Sequence, residues 1–388
     1  MDVYDFVIAG AGAAGLSLAH RLIHSPLRDR SILVIDKDDA DQLNRNWGFW
    51  TNQRDEYTPL AHRTWDRLRF ASDGIDRLLD LEDYRYHLIR GADFYRYSLK
   101  ELALCDSVTF VHGAVDRIED GEDTARVVID DQAYAGRWVF DSLFRPGDLP
   151  RESPQFRYLK MHFKGWEIET DEPAFDPEVA TLFDFRTPQD GAMRFFYVLP
   201  SSGRQALVEY TIFSANVLAQ DEYESALRDY IAGVLGIRAY RVADEENGVV
   251  PITDHPFARR AGKRIMAIGT KGGRVKPSSG YSFRRVQQDA AAIVDSLIRL
   301  GHPFDVPEDH VWYRLTDSIL LEIMHCRGDQ LKPIFNAMFQ RNPARRIFRF
   351  LDHSAGAGEQ ARLIASLPPG PFVAALGRMA LHALRLRR

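Results

Sequence analysis

Cysteine is scarce in this sequence, which has 388 residues and only two of them, Cys105 and Cys326. Two thiols cannot build a disulfide framework or a four-cysteine zinc site, so a disulfide-stabilised scaffold is excluded. No run of about 18 apolar residues occurs, although a membrane-spanning helix needs that length. The acidic start of the chain predicts no signal peptide. These features favour a reducing, cytoplasmic compartment.

An excess of charge of either sign is also missing. Fifty Lys and Arg oppose 55 Asp and Glu, and the net charge is -5. The protein therefore lacks the overall positive field that holds nucleic acid, and we expect no nucleic-acid partner. The sequence has no HExxH motif, we expect no paired histidine ligands, and no metal site is predicted. The nucleophile elbow of serine hydrolases, Gly-x-Ser-x-Gly, is absent too.

A glycine-rich turn follows the first apolar run. Residues 5–9 read as a strand, and Gly10-Ala-Gly12-Ala-Ala-Gly15 then precedes apolar residues at helical spacing. Gly10 permits the tight turn, Gly12 lets the backbone approach a pyrophosphate, and Gly15 lets the helix pack on the strand. A second apolar run ends in Asp36, where a carboxylate can accept hydrogen bonds from ribose hydroxyls. The pattern predicts a dinucleotide-binding unit for FAD or NAD.

The later strand-like runs do not continue this unit directly. Runs at 108–118, 125–129 and 138–144 come first, and 264–269 leads much later into a loop and a helix that begins near Phe283. A nucleotide-binding half interrupted by a long insertion is the layout of flavoprotein monooxygenase-like folds, which favours FAD. We therefore predict an α/β protein with a Rossmann-like FAD-binding domain over 1–150 and 251–300. A β-sheet substrate domain over 151–250 and a helical C-terminal region over 301–388 complete the prediction.

The insertion carries an acid within an apolar strand. Residues 194–200 and 205–213 read as a hairpin, and Glu209 lies in the second strand between apolar neighbours. Side-chain alternation places Leu207, Glu209 and Thr211 on one face. From the residues alone, Glu209 is either a half-exposed strand residue or a functional acid.

The end of the chain is basic. Residues 341–388 contain nine Arg and only two acids, interleaved with apolar clusters. Two interpretations remain open, a helical bundle with solvated arginines and a basic amphipathic surface that lies on anionic lipid.

Together these motifs resemble the flavoprotein lycopene cyclases of bacteria and plants along nearly the whole chain. The segments that carry the resemblance are the glycine turn with Asp36, Trp47-Gly-Phe-Trp50, 195–200 with 206–211, 269–281, Asp317, 333–335, 349–351 and 367–369. The resemblance implies an isomerase that uses reduced FAD, with NAD(P)H as reductant, to form β-ionone rings at the ends of lycopene without net redox change. Glu209 aligns with the essential acid of that family. The resemblance also implies a protein bound peripherally to the inner face of the membrane.

The expected site follows from the motifs and the resemblance. The expected cofactor-binding residues are Gly10, Gly12, Ala13, Ala14, Gly15, Asp36, Lys37, Arg45, Val115, Asp141, Gly269, Gly280 and Tyr281. Carbocations need electron-rich walls that are not nucleophilic, and aromatic faces provide them. The expected substrate-contacting residues are Trp47, Phe49, Trp50, Phe196 and Tyr197, with Phe195 as a further candidate.

Three other functions remain open. One is a redox flavoenzyme of the same superfamily, a hydroxylase, halogenase or isoprenoid reductase, although these usually carry Gly-Asp where this chain has Gly269-Thr270. Another is a cyclase for a different polyene or terpenoid. The third is a non-catalytic flavin- or lipid-binding protein, which needs no buried acid.

Overall fold

The computed structural model describes residues 3–38, 46–145, 147–149, 153 and 155–385. Its elements up to residue 141 are β1 (Val3–Ala9), α1 (Ala13–Ile23), β2 (Ile32–Asp36), β3 (Trp47–Thr51), β4 (Arg63–Trp65), β5 (Arg67–Ser72), β6 (Ile75–Asp80), β7 (Arg85–Ile89), α2 (Gly91–Ala103), β8 (Val108–His112), β9 (Arg117–Glu119), β10 (Ala125–Ile129) and β11 (Gln132–Asp141). The later elements are β12 (Tyr158–Glu169), β13 (Val179–Asp184), β14 (Met193–Pro200), β15 (Gln205–Ser214), α3 (Gln220–Gly233), β16 (Arg241–Thr253), β17 (Ile265–Ala267), α4 (Phe283–Leu300), α5 (Val311–Arg327), α6 (Leu331–Arg341), α7 (Ala344–Leu351), α8 (Ala357–Ala365) and α9 (Pro369–Arg385).

The first sheet has β1 near its centre. Its order is β8-β2-β1-β11-β10-β9, and β17 pairs with β11. The pairs that involve β1, β2, β8 and β17 are parallel, and both β1 and β2 are buried on both faces, as their continuous apolar runs require. Helices α1 and α4 pack together, and Gln287 Nε2 donates to Ser17 Oγ at 2.7 Å. The chain leaves this sheet after β11 and returns at β17, which confirms the predicted α/β fold with an interrupted Rossmann-like domain.

The second sheet lies opposite the first. Its order is β16-β12-β15-β14-β13-β5-β6, and β14 and β15 are the antiparallel hairpin expected from the sequence. Strands β5 and β6 come from residues 67–80, before the insertion, and β5 joins the sheet through a parallel pairing with β13. One face of the sheet packs on α3, and the C-terminal helices pack on part of the other face.

Helices α5 to α8 confirm the predicted helical C-terminal region, and they pack on the face of the second sheet opposite to α3. The rings of Phe70 on β5 and Phe339 on α6 stack with centroids 4.4 Å apart, and Leu321, Ile334, Ile347 and other apolar side chains extend this core. Among the described residues, no helix has both the length and the hydrophobicity to cross a bilayer.

Candidate active site

A cavity of about 830 Å³ lies between the two sheets. Its walls come from the turns after β1 and β2, from β15 and β16, and from the start of α4. Cofactor and substrate sites of enzymes have volumes of this order. One continuous space therefore joins the nucleotide-binding end of the first sheet to the second sheet.

The glycine turn has the geometry that its spacing predicts. Gly10 has φ +99°, which favours glycine, and a Cβ on Gly15 would lie 2.0 Å from the Gly10 carbonyl oxygen. A Cβ on Gly12 would meet nothing within 4 Å, and Gly12, Ala13 and Ala14 line the cavity. The turn and the amides at the start of α1 therefore leave open space suited to a pyrophosphate, whereas Gly15 serves the helix packing behind it.

The expected ribose-binding end is also beside the cavity. Asp36 ends β2, lines the cavity and accepts a hydrogen bond from the Ala11 amide through Oδ2, and Lys37 and Val115 line the cavity nearby. The residues present thus fit the dinucleotide part of FAD. Arg45 lies outside the described residues.

Asp141, which was expected to bind the cofactor, does not line the cavity. It ends β11 and is 5% exposed, but it is not among the cavity-lining residues. Its carboxylate forms an ion pair with Lys271 Nζ at 2.5 Å and accepts a hydrogen bond from the Leu143 amide. The adjacent Ser142 lines the cavity instead.

The loop after β17 closes the cavity from the other side. Gly269 and Gly280 have φ values of +60° and +76°, and both line the cavity together with Tyr281. A Cβ on Gly269 would lie 2.8 Å from Ala14 Cβ, so this loop directly abuts the first helix. The fold brings together two motifs that are more than 250 residues apart in the chain.

Two carboxyl groups meet in the wall formed by the second sheet. Gly165 on β12 pairs with Glu209 on β15 and, on its other side, with Glu246 on β16. Because Gly165 has no side chain, the two glutamates can approach each other across it, and each carboxyl affects the pKa of the other. Both line the cavity. The sheet thus places a carboxyl pair at the ligand-facing surface.

Each carboxyl has a second partner. Thr211 Oγ1 donates to Glu209 Oε1 at 2.7 Å. The side-chain amide of Asn46 donates to Glu246 Oε2 at 2.8 Å, and the Asn46 backbone amide donates to the same oxygen at 3.3 Å. These contacts fix both carboxyls in place.

Burial raises the pKa of Glu209, although the Thr211 hydroxyl and the Glu246 carboxyl oppose that shift. Burial and the neighbouring Glu209 carboxyl hold the pKa of Glu246 well above its usual range. The pair therefore retains a proton at a pH at which an exposed glutamate has lost it.

Tyrosine hydroxyls cluster beside this pair. Tyr197 lies next to Glu209 in the sheet, and its hydroxyl shares a hydrogen bond of 3.1 Å with that of Tyr281. Tyr86 lies near Tyr281 and lines the cavity as well. Burial raises the pKa of all three phenols, so they stay neutral. Neutral phenol rings next to an acid suit a cationic intermediate that must not be trapped by a nucleophile.

Only some of the aromatic residues expected to contact substrate line the cavity. Trp47 and Tyr197 line the cavity. Phe49 and Trp50 are 3% and 6% exposed and do not line it; Phe49 packs on Phe283, and Trp50 packs on Tyr281 and Phe348.

Phe196 lies on the opposite face of the second sheet, and this corrects the expected assignment. Side chains alternate along β14, so Tyr197 faces the cavity and Phe196 stacks on Tyr210 and Tyr230 at the α3 side, with centroids 4.6 and 3.8 Å away. Phe195 shares the face of Tyr197 but lies in the core against Phe183.

Sequence reasoning missed Glu246, Asn46 and Tyr86. Glu246 follows Asp244 and Glu245, and three consecutive acids read as a solvated segment rather than a buried strand. The available signal was Gly248-Val-Val-Pro-Ile, an apolar run just after it. The pairing of β16 with β12 cannot be read from either segment alone.

The expectation of no paired histidines was wrong. His20 and His24 are one turn apart on α1, and their ligand atoms and that of Glu101 lie within 4.8 Å of one another. His24 Nδ1 contacts the His20 carbonyl oxygen, and burial lowers the pKa of His20 to about 4. This cluster is absent from the cavity lining.

The structure resembles solved flavoproteins. It superposes on the flavin-dependent brominase Bmp2 with a TM-score of 0.61, 14% identity and coverage of 100% of both chains. At this identity the likeness establishes the fold, which is the flavoprotein monooxygenase-like fold expected from the sequence.

The relatives in sequence are enzymes named for carotenoid chemistry. The chain is 25% identical over 363 residues to the chloroplastic neoxanthin synthase of Solanum tuberosum, covering 84% of this chain and 67% of that protein. It is 22% identical over 327 residues to the chloroplastic lycopene beta cyclase of Arabidopsis thaliana, covering 78% of this chain and 62% of that protein. The chain thus spans about two thirds of the length of these relatives.

The family model described as lycopene cyclase protein matches residues 5–376. That match includes the glycine turn, the carboxyl pair and the C-terminal helices up to the first half of α9. The chain therefore belongs to the lycopene cyclase family.

Proposed function

We propose that the protein is an FAD-dependent lycopene β-cyclase that forms β-ionone rings without net redox change. The observation that supports this most strongly is the Glu209 carboxyl in a cavity continuous with the glycine turn. A binding protein has no use for a buried acid at that position. The test is to incubate the reduced, FAD-loaded protein with lycopene in liposomes and to identify ring-bearing products by chromatography and absorption spectrum.

Ring closure starts with a proton. Glu209 would protonate the terminal trisubstituted alkene, which gives a tertiary cation, and the neighbouring double bond would then attack this cation and close the ring. Loss of a proton from the ring restores neutrality and leaves the ring double bond. Alkenes are very weak bases, so the donor must be a neutral carboxyl in a dry site. Glu209 meets this requirement because burial raises the pKa of its carboxyl.

The cavity walls suit the cation. Trp47, Tyr197 and Tyr281 line the cavity. An aromatic face attracts a cation without forming a covalent bond to it. Leu88 of β7 and apolar side chains of the second sheet, among them Met161, Leu199 and Leu207, complete a wall that fits a hydrocarbon.

The FAD would be held by the glycine turn, Asp36, Lys37, Val115 and the loop from Gly269 to Tyr281, all of which line the cavity or adjoin it. Reduced FAD, once bound, supplies negative charge that stabilises a nearby cation, and NAD(P)H is the proposed source of its electrons.

The same proposal includes docking on a membrane, because lycopene is confined to lipid. Helix α9 exposes Val373, Leu376, Leu381 and Leu384, which are 46% to 65% exposed and lie on one side at helical spacing. The basic composition of residues 341–388 favours an anionic surface. We propose that this face of α9 lies on anionic lipid at the inner side of the membrane.

We expect the protein to float with anionic vesicles and to be released by salt. The double variant Val373→Glu/Leu381→Glu should lose most of this binding, because it places two charges on the apolar face. Leu104→Glu, at a leucine 74% exposed and distant in sequence, should behave as wild type. Equal flotation of the double variant and wild type, or equal binding to neutral vesicles, would contradict a role for α9.

A further inference from the structure

The second carboxyl of the pair has no role in the mechanism derived so far. Glu246 is 5% exposed, a degree of burial that is costly for a charged side chain. Its nearest ionisable neighbour is another acid, and no Lys or Arg contact with its carboxylate is found among the described residues. A buried acid beside a second acid, with amide donors on its outer oxygen, is an arrangement for sharing a proton rather than for balancing a charge.

We infer that Glu246 is a positioning residue that shares one proton with Glu209 across Gly165 and thereby keeps a transferable proton within the pair. This inference rests on the proposed function, in which Glu209 is the acid. Two carboxylates in contact cannot both ionise easily, so the last proton of such a pair is retained to unusually high pH. The donors on Glu246, both from Asn46, stabilise charge on that side of the pair.

The proton balance of the reaction then closes within the pair. The proton leaves a Glu209 oxygen and forms a C–H bond with the alkene, which leaves two carboxylates facing the cation. In the last step a ring C–H bond breaks, its electrons form the new C=C bond, and the pair takes up that proton. No oxidant or reductant is consumed.

Among the described residues, the groups that face the pair supply no positive charge. They are Asn46, Thr211, the phenols of Tyr86, Tyr197 and Tyr281, and Asp244 on the strand of Glu246 itself. The phenols remain neutral, so Glu246 is the ionisable group among them with which Glu209 can share a proton.

The test is Glu246→Gln, read by infrared spectroscopy of the substrate-free, flavin-loaded protein. A Gln amide donates to Glu209 and stabilises its carboxylate. We therefore expect the protonated-carboxyl band at pH 8, assigned by its loss in Glu209→Gln, to disappear in Glu246→Gln and to return at acid pH. The alkaline limb of the activity profile should move to lower pH, with ring formation retained on the acid side. The matched control is Glu245→Gln, which makes the same change at the preceding residue. Glu245 pairs with Lys164, and Lys164 still has Glu224 as a partner in this variant.

A carboxyl band with unchanged pH dependence in Glu246→Gln would overturn the inference. Because the infrared measurement needs no lycopene, it stands even if wild type forms no rings, which would instead refute the proposed function. If Glu246→Gln fails to fold, Gly165→Ala provides the second test. Its Cβ would lie 3.0 Å from Glu246 Cγ and push the two carboxyls apart, so the same shift to lower pH is expected.

Discussion

Glu209→Gln should lower ring formation by at least about a hundredfold, the usual contribution of a positioned general acid. Gln keeps the shape of the side chain and can still accept the Thr211 hydrogen bond, but it has no proton acidic enough for an alkene. Ring product per bound flavin, measured by chromatography, is the readout.

The fold and the flavin should survive this substitution. A neutral amide replaces a carboxyl that is itself held neutral by burial, so no charge is lost from a partner. The flavin absorption spectrum and the thermal midpoint should stay close to those of wild type. The control Glu224→Gln removes a half-buried carboxyl of α3 that pairs with Lys164, and because Lys164 keeps Glu245 as a partner, it should retain full activity. Near-normal turnover by Glu209→Gln would exclude Glu209 as the proton donor.

Gly12→Trp should abolish flavin binding and, with it, ring formation. Gly12 has φ -68° and ψ -175°, a conformation that any residue adopts, and a Cβ there would enter open space in the cavity. An indole would therefore occupy the space assigned to the pyrophosphate without straining the backbone. The measurement is flavin content after reconstitution with excess FAD.

Gly233→Trp supplies the matched control, because Gly233 is exposed at the end of α3 and a Cβ there also meets nothing within 4 Å. It should bind flavin as wild type does. A Gly12→Trp protein that retains stoichiometric flavin would place the cofactor elsewhere, and a fully active protein without flavin would remove FAD from the account.

The local motifs of the first sheet could be predicted from the sequence because each is a contiguous pattern. The glycine turn requires specific backbone conformations at Gly10 and close packing at Gly15, and both requirements are visible in residue type and spacing. Glu209 was found for a similar reason, since one acid in an apolar strand stands out.

The other half of the carboxyl pair depends on strand pairing that no local pattern encodes. Glu246 reaches Glu209 only because β12 lies between their strands and has glycine at position 165. The misplacement of Phe196 has a simpler cause: strict alternation along β14 allows only one of Phe196 and Tyr197 to face the cavity. Likewise, Phe49 and Trp50 became core residues because α4 and α7 pack over them.

In the proposed reaction an acid drives ring closure, and no redox equivalent is consumed. The direct measurement is the conversion of lycopene in deuterated water by the reduced, FAD-loaded protein, with product deuterium and NADPH consumption recorded together. We predict one deuterium per ring, on the carbon that was the protonated alkene carbon, while the flavin stays reduced and NADPH is not used stoichiometrically. One NADPH oxidised per ring, or rings without deuterium, would contradict it and favour a redox flavoenzyme of the same fold.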